Sequence, residues 1–254
     1  MGRGFVTSVA HHGVGVRPPC AWEPTTLSLL NAFELRCGGR EVSLPVSAQR
    51  LVAFVALHGG PLLRVYVAGT LWLHASDERA GASLRSSLWR LNRAGLGIVE
   101  ATSTHLRLAS EVGVDVHRAY ELARRLLEGT ATEADLDTAE ADLRGELLPD
   151  WYDDWLVFER ERFRQLSLHA LEALAERLIA AGRLGRALEV ALAALAGEPL
   201  RESAHRMLIR VHLAEGNRGE ALRQYELCRR LLRDRLGVEP SPQLDELISV
   251  SDTE

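Results

Sequence analysis

Lysine is absent from this sequence, and all 30 of its basic residues are arginine. The absence excludes a lysine Schiff base, a lysine general base and a phosphate-binding loop of the GxxxxGK type. Cysteine is scarce as well: Cys20, Cys37 and Cys228 are odd in number, far apart and outside CxxC spacing. Such spacing argues against a disulfide framework or a zinc site. We therefore expect reduced thiols, no metal and no cofactor.

Long apolar runs are missing too. No run approaches the roughly 20 apolar residues that cross a bilayer, and residues 1–26 lack the apolar core of a signal peptide. That stretch contains tandem histidines, three prolines and four glycines, a composition typical of a flexible tail. We expect a flexible tail over residues 1–26 of a cytoplasmic protein that makes no membrane contact.

The charges are unevenly distributed along the chain. Residues 27–112 carry nine arginines against six acidic residues, a net charge of +3. Residues 113–254 carry 19 arginines against 28 acidic residues, a net charge of −9. A mildly basic N-terminal half is compatible with a polyanionic partner for that half.

The C-terminal half contains a segment that repeats at a spacing of 34 residues. Ala180–Leu188 returns as Ala214–Leu222, with Gly182 and Gly216 at the same position in each copy. A period of 34 with a glycine at a fixed phase predicts two antiparallel helices per unit that turn at that glycine. We therefore predict an all-α, TPR-like domain over residues 113–248.

The N-terminal half shows a different order of elements. Strand-like runs at 27–31, 33–36 and 41–44 precede a helix that we expect Ser47 to cap, a short helix from Arg64 and a third helix over 78–94. Two further strands, 98–100 and 105–108, follow as a hairpin. Three helices and a hairpin describe a winged helix, here with an N-terminal sheet, over residues 27–112. The predicted fold is mainly α with a small β component.

The third helix separates into two faces. Its buried stripe is predicted to be Gly81, Leu84, Leu88, Leu91 and Gly95. The opposite face holds serines and arginines, and no acidic residue occurs from Arg79 to Arg93. Serine and arginine can bond to base edges, and arginine also pairs with phosphate. The alternative is an ordinary solvated face, which usually mixes acids with bases.

We therefore expect this helix to enter the DNA major groove while the hairpin contacts the backbone. The residues expected to read bases are Ser83, Ser86, Ser87 and Arg90. The residues expected to hold phosphates are Arg79, Arg93, Thr102, Ser103, Thr104 and His105. Trp89, on the flank between the two faces, is compatible with either the core rim or base stacking.

One acidic motif invites a catalytic interpretation. Asp153 and Asp154 form a carboxylate pair inside the sequence WYDDW, and paired carboxylates can perform general acid–base chemistry. Acids at a helix start are the better explanation, because they favour the macrodipole. Trp151, Trp155 and Phe158 recur on one side and predict packing between helices. With no nucleophile–base pair or metal-ligand cluster in the sequence, we expect no catalytic residue and no enzyme.

Several longer motifs resemble one known family, the SARP-type bacterial transcriptional activators, over residues 27–245. The most specific are residues 198–206 (EPLRESAHR) and 231–242 (LLRDRLGVEPSP), with 151–161 in support. Residues 47–58 and 82–94 are similar to the first and third helices of the family's winged helix. Two positions depart from the family: Leu73 and His74 follow Trp72 where proline is common, and Asn92 stands where arginine is frequent.

The resemblance implies an OmpR-like winged helix-turn-helix followed by a bacterial transcriptional activation domain. It also implies binding to double-stranded DNA at promoter direct repeats, recruitment of RNA polymerase holoenzyme, and a homodimer or side-by-side oligomer on DNA. Such a protein would be nucleoid-associated. With 26 residues before the first strand, we expect no receiver domain. The alternative function is a TPR-like adaptor whose winged helix contacts protein rather than DNA.

Overall fold

The structure, a computed structural model, describes residues 24–250, which divide into two compact units. The first unit contains residues 24–25 and 36–112, and the second contains residues 26–35 and 113–250. Residues 27–35, expected to belong to the winged helix, thus group with the helical unit instead. Most of the expected flexible tail lies outside the described residues, although Thr25 already belongs to a strand. No helix within 24–250 is long and apolar enough to cross a membrane.

The predicted winged helix with an N-terminal sheet is confirmed. Its elements are β1 (Thr25–Ser28), β2 (Glu34–Cys37), β3 (Arg40–Glu41), α1 (Val46–His58), β4 (Leu62–Leu63), α2 (Arg64–Leu71), α3 (Asp77–Arg93), β5 (Val99–Ala101), β6 (His105–Leu108) and β7 (Val112–Val114). The strands form one sheet in the order β3-β2-β1-β7 and a second in the order β4-β6-β5. The antiparallel pairing of β5 with β6 makes the wing.

Helix α1 forms the centre of the first unit and starts differently from the prediction. Ser47 is not its cap: Pro45 is the N-cap, and its carbonyl accepts from the backbone of Ala48 at 2.8 Å and Gln49 at 3.0 Å. The helix ends at Gly59, whose φ of 63° lies in the left-handed region, which glycine adopts at little cost. Every residue from Leu51 to Leu57 is buried, so α1 can anchor the helices that pack on it.

The second unit is helical apart from residues 26–35 and the end of β7. Its helices are α4 (Asp115–Leu127), α5 (Glu133–Leu143), α6 (Asp154–Ala180), α7 (Leu184–Gly197), α8 (Glu202–Ala214), α9 (Arg218–Leu236) and α10 (Pro242–Val250). The 34-residue repeat is confirmed: α6 packs on α7 and α8 on α9. The chain turns at Gly182 (φ 70°) and Gly216 (φ 76°). The buried faces of α4 to α8 share one apolar core.

Residues 26–35 are fastened to the second unit by backbone hydrogen bonds. The buried Asp115 carboxylate accepts from the N–H of Leu29 at 2.9 Å and of Leu30 at 3.0 Å. Nearby, the N–H of Leu148 donates to the carbonyl of Leu29 at 2.9 Å, and that of Asn31 to Glu146 at 2.6 Å. These bonds explain why the segment belongs with the helices that follow it by more than 80 residues in sequence.

The WYDDW motif is structural, as the helix-start interpretation predicts. Asp153 is the N-cap of α6 and Asp154 its first residue. Trp151 stacks on Phe33, with ring centroids 5.9 Å apart. The predicted packing of Phe158 is wrong, because its side chain is 82% exposed. It lies on the solvent face of a helix whose buried face here is formed by Leu156 and Phe163.

The expectation of reduced thiols is wrong for Cys37, which is disulfide-bonded. Spacing along the sequence does not determine which cysteines meet in the fold, because the bridge depends on Cα distance and direction. Cys228 is free and buried, and burial raises the pKa of its thiol to about 12. Cys20 lies outside the described residues.

His205, from the EPLRESAHR motif, is a buried polar link between α8 and α9. Its side chain is 1% exposed, with Nε2 2.9 Å from the carbonyl of Pro199 and Nδ1 2.6 Å from the amide nitrogen of Gln224. A carbonyl can only accept, so Nε2 carries the proton and Nδ1 accepts from Gln224. This arrangement requires the neutral imidazole, and burial lowers the pKa of His205 below its ordinary value of 6.5.

We expect His205 to make stability depend on pH. Below about pH 6.5 the unfolded chain binds a proton here that the folded chain does not, so the free energy of unfolding falls as pH decreases through this range. His205→Gln should flatten that dependence, and the exposed His74→Gln should not. Urea unfolding of the three proteins at pH 5.5, 6.5 and 7.5 measures this. Equal pH slopes for wild type and His205→Gln would contradict the assignment.

Candidate nucleic-acid interface

Helix α3 packs against α1 and α2 and leaves one face to solvent. Its buried residues are Ala80, Leu84, Ser87, Leu88 and Leu91. The predicted stripe was right for the three leucines, whereas Gly81 and Gly95 are only partly buried. Asp77 and Glu78 lie in the first turn, where acids favour the helix dipole. Every later charged residue of α3 is an arginine.

The solvent face of α3 brings together most of the residues expected to contact DNA. Arg79, Ser86, Arg90 and Arg93 are exposed, and Ser83 is half-buried. Serine side chains are short enough for base edges to come close, and the guanidinium groups supply donors and positive charge. The face therefore presents positive charge and hydrogen-bonding groups to solvent.

Ser87 does not belong to this face. Its side chain is 1% exposed, and its hydroxyl has no hydrogen-bond partner among the described residues. The prediction that Ser87 reads bases is corrected, because the residue points into the packing of α3 on the other helices. Helical spacing in the sequence already indicates this burial. Ser87 lies three residues after Leu84 and four before Leu91, and residues at such spacings share a helix face.

Two arginines of α3 are held by neighbours that the sequence did not identify. Arg90 donates through Nη1 to the hydroxyl of Ser47, at the start of α1, at 3.0 Å. The guanidinium carbon of Arg93 lies 5.1 Å from the centroid of the Trp89 ring, a cation–π contact. Trp89 is 57% exposed, so it lies on the surface rather than in the core rim.

The wing tip is a compact polar turn. The hydroxyl of Thr102 accepts from the backbone N–H of His105 at 2.9 Å and of Thr104 at 3.3 Å. The Thr104 hydroxyl lies 2.9 Å from Nδ1 of His105. Thr102, Ser103 and Thr104 are exposed and His105 is half-buried. The turn thus presents hydroxyl groups on a backbone that its own hydrogen bonds hold in place.

Arg64 is a further residue of this region that sequence reasoning missed. Its guanidinium donates to the carbonyl of Thr102 at 3.0 Å, and its backbone N–H donates to the carbonyl of Thr104 at 2.8 Å. Both bonds join the first residue of α2 to the wing turn. The pairing of β4 with β6 brings them together, and the sequence did not indicate that pairing because β4 is only two residues long.

Among residues 24–250, no group of three or more His, Cys, Asp or Glu side chains is placed to hold a metal ion. The surface formed by α3 and the wing presents positive charge and hydrogen-bonding groups. These are the properties by which a protein surface recognises a nucleic-acid backbone and groove.

Comparisons with known proteins agree with the fold. A family model for the bacterial transcriptional activator domain matches residues 114–249. The chain is similar to the regulatory protein AfsR of Streptomyces coelicolor, with 30% identity over 187 residues. That match covers 70% of this chain and 19% of the relative, so the chain spans about a fifth of the relative's length.

A solved structure resembles the chain at the level of fold. It is Mycobacterium tuberculosis EmbR in complex with a low-affinity phosphopeptide, with a TM-score of 0.74 and 22% sequence identity. The match covers 89% of this chain and 64% of that chain.

Proposed function

Because the chain belongs to the bacterial transcriptional activator domain family, as a SARP-type regulator rather than an enzyme, we propose that its winged helix binds double-stranded DNA at direct repeats in promoters. The observation that carries the proposal is the solvent face of α3. Arginines and serines are exposed there, and no acidic residue of α3 follows Glu78. The positive charge of the arginines provides non-specific attraction to phosphates. The guanidinium and hydroxyl groups provide the hydrogen-bond donors that base readout requires.

The candidate contacts have two roles in this proposal. Ser83, Ser86 and Arg90 read base edges from α3. Arg79, Arg93 and the wing residues Thr102, Ser103, Thr104 and His105 hold phosphates. Ser87 contributes to the packing of α3 instead.

The helical unit is the assembly half in this proposal. It recruits RNA polymerase holoenzyme and supports a homodimer or side-by-side oligomer on neighbouring repeats, which places the protein in the cytoplasm on the nucleoid. Family membership and the packing of α6 on α7 and of α8 on α9 support this part. Repeat scaffolds of this kind present extended surfaces to partners.

Selection of bound sites from random duplex DNA by the purified full chain tests the proposal. We expect enrichment of a direct repeat, with affinity that falls steeply as salt increases. A full chain that is retained on neither random DNA nor heparin at low salt would instead favour the adaptor function.

Arg90→Ala and Arg93→Ala should weaken DNA binding in different ways. Loss of Arg90 should cost about 1–3 kcal/mol on the selected site and relax its sequence preference, because a base contact is removed. Loss of Arg93 should weaken selected and random DNA similarly and reduce the salt slope by about one. Arg118→Ala, at an exposed arginine on α4, is the matched control. Equal behaviour of all three variants would show that α3 is misassigned.

A further inference from the structure

Arg90 differs from the other arginines of α3 in how its side chain is held. Its bond from Nη1 to the hydroxyl of Ser47, at 3.0 Å, joins α3 to the start of α1. Among residues 24–250 this is the one hydrogen bond of the Arg90 side chain, and no carboxylate pairs with it. Arg93, in contrast, lies against Trp89 of its own helix. A second helix therefore sets the orientation of Arg90.

The first turn of α1 holds Ser47 in a fixed position. The carbonyl of Pro45 accepts from the backbone N–H groups of Ala48 and Gln49, and the Gln49 side chain donates to the carbonyl of Leu44 at 2.8 Å. Ala48 is completely buried, and the proline ring restricts φ at the residue before the helix. Because the turn is packed and hydrogen-bonded, its hydroxyl group provides a rigid acceptor for the guanidinium.

The bond leaves most of the guanidinium of Arg90 available to a ligand. Arg90 is exposed and Ser47 is half-buried, so the pair lies at the surface. A guanidinium has five N–H donors, and the bond to Ser47 uses one of them. Guanine presents two acceptors, O6 and N7, in the major groove, whereas adenine presents one acceptor and one donor, thymine one acceptor and cytosine a donor. A group that only donates therefore matches guanine best.

A fixed orientation matters for this kind of recognition. An unrestrained arginine side chain has many rotamers, and its charge pairs with phosphates as well as with bases. Bidentate binding to one base requires a defined plane and direction of the guanidinium. A hydrogen bond that sets both before DNA binds reduces the rotamer freedom that binding must remove. The contact with Ser47 thus favours a base over a phosphate as the ligand of Arg90.

We propose that Ser47 is a positioning residue that orients Arg90 for bidentate recognition of a guanine. The proposal rests on the proposed function and names the base that α3 reads at one position of the site. Ser47 acts through Arg90 and contacts no base itself. Its loss changes the base preference at that position, whereas non-specific attraction to phosphates, which depends on charge, is retained.

Fluorescence anisotropy of the full chain on the selected duplex, with each base in turn at every position, tests the proposal. The position read by Arg90 is the one whose base preference Arg90→Ala loses, and we expect wild type to prefer guanine there. Ser47→Ala should reduce that preference about fivefold, the effect of one hydrogen bond, and leave the affinity for random DNA unchanged. Ser47→Thr keeps the hydroxyl and should retain the preference. Ser110→Ala, at an exposed serine that bonds to Glu111, is the matched control.

A double substitution separates positioning from a direct contact. In an Arg90→Ala background, Ser47→Ala should leave the affinity for the selected duplex unchanged, because the group that it orients is gone. The proposal is overturned if Ser47→Ala weakens this background as much as wild type, if it weakens random DNA equally, or if it behaves like Ser110→Ala. A preferred base other than guanine also overturns it. A wild-type chain that binds neither random DNA nor heparin would refute the proposed function itself, and this proposal with it.

Discussion

Asp115→Ala should lower the free energy of unfolding of the helical unit by about 4 kcal/mol. The carboxylate accepts from the backbone N–H groups of Leu29, Leu30 and Val116, at 2.9, 3.0 and 2.7 Å. Leu29 is completely buried, so water cannot replace the lost acceptor. Hydrogen bonds to charged groups contribute about 1.5–3 kcal/mol each, and orphaned buried donors add their desolvation penalty.

Urea unfolding of the full chain, followed by far-ultraviolet circular dichroism, measures this loss. Asp115→Asn should be nearly as destabilising, because an amide nitrogen would face donors that need an acceptor. Asp150→Ala, an exposed aspartate of the same unit, serves as the control and should lie within about 0.5 kcal/mol of wild type. A loss below about 1 kcal/mol for Asp115→Ala would refute the role assigned to the carboxylate.

Arg160→Met should be the second most disruptive change, at about 3 kcal/mol. The guanidinium donates to the carbonyls of Leu147, Leu148 and Trp151, and the substitution leaves all three without this donor. Leu148 has a φ of 44°, a conformation that is unfavourable for a residue with a side chain and that the surrounding bonds must hold. We therefore expect local opening of residues 147–151 as well as global destabilisation.

Hydrogen exchange measured by mass spectrometry separates the two effects, since protection should fall first in residues 147–151. Arg162→Met is the matched control on the same helix. Arg162 contacts the ring of Tyr120 at 5.5 Å and pairs with Glu159 at 3.9 Å, interactions that contribute less than about 1 kcal/mol at an exposed position. Similar exchange in the two variants would show that Arg160 does not brace the connection.

Local patterns in the sequence were sufficient to predict most of the elements. The repeated glycines Gly182 and Gly216 identify the turns of the helical pairs, because both have positive φ. Thr132 is the N-cap of α5, and its capping box with Asp135 is a pattern of the local sequence. The capping box is a local pattern and the glycines recur at a fixed period, so both signals are present in the sequence without tertiary information.

Features that depend on distant partners could not be predicted in the same way. The bonds of Asp115 to Leu29 and Leu30 join residues 86 and 85 positions apart. The contact of Arg90 with Ser47 spans 43 positions and is equally invisible in a local pattern. Ser87 is a different case, since helical spacing alone places it on the buried side.

The sequence order of the two units determines which segments can be exchanged with those of a related protein. The backbone leaves the first unit after residue 25, returns to it at residue 36 and leaves again after residue 112. Residues 36–112, which contain α1 to α3 and the wing, are thus inserted into the sequence of the second unit. A chimaera joined at residue 113 would remove the Leu29 and Leu30 donors of Asp115, whereas replacement of residues 36–112 as a cassette would retain them. Under the proposed function, a new DNA specificity would therefore be sought by changing residues 36–112 and not by exchanging an N-terminal half.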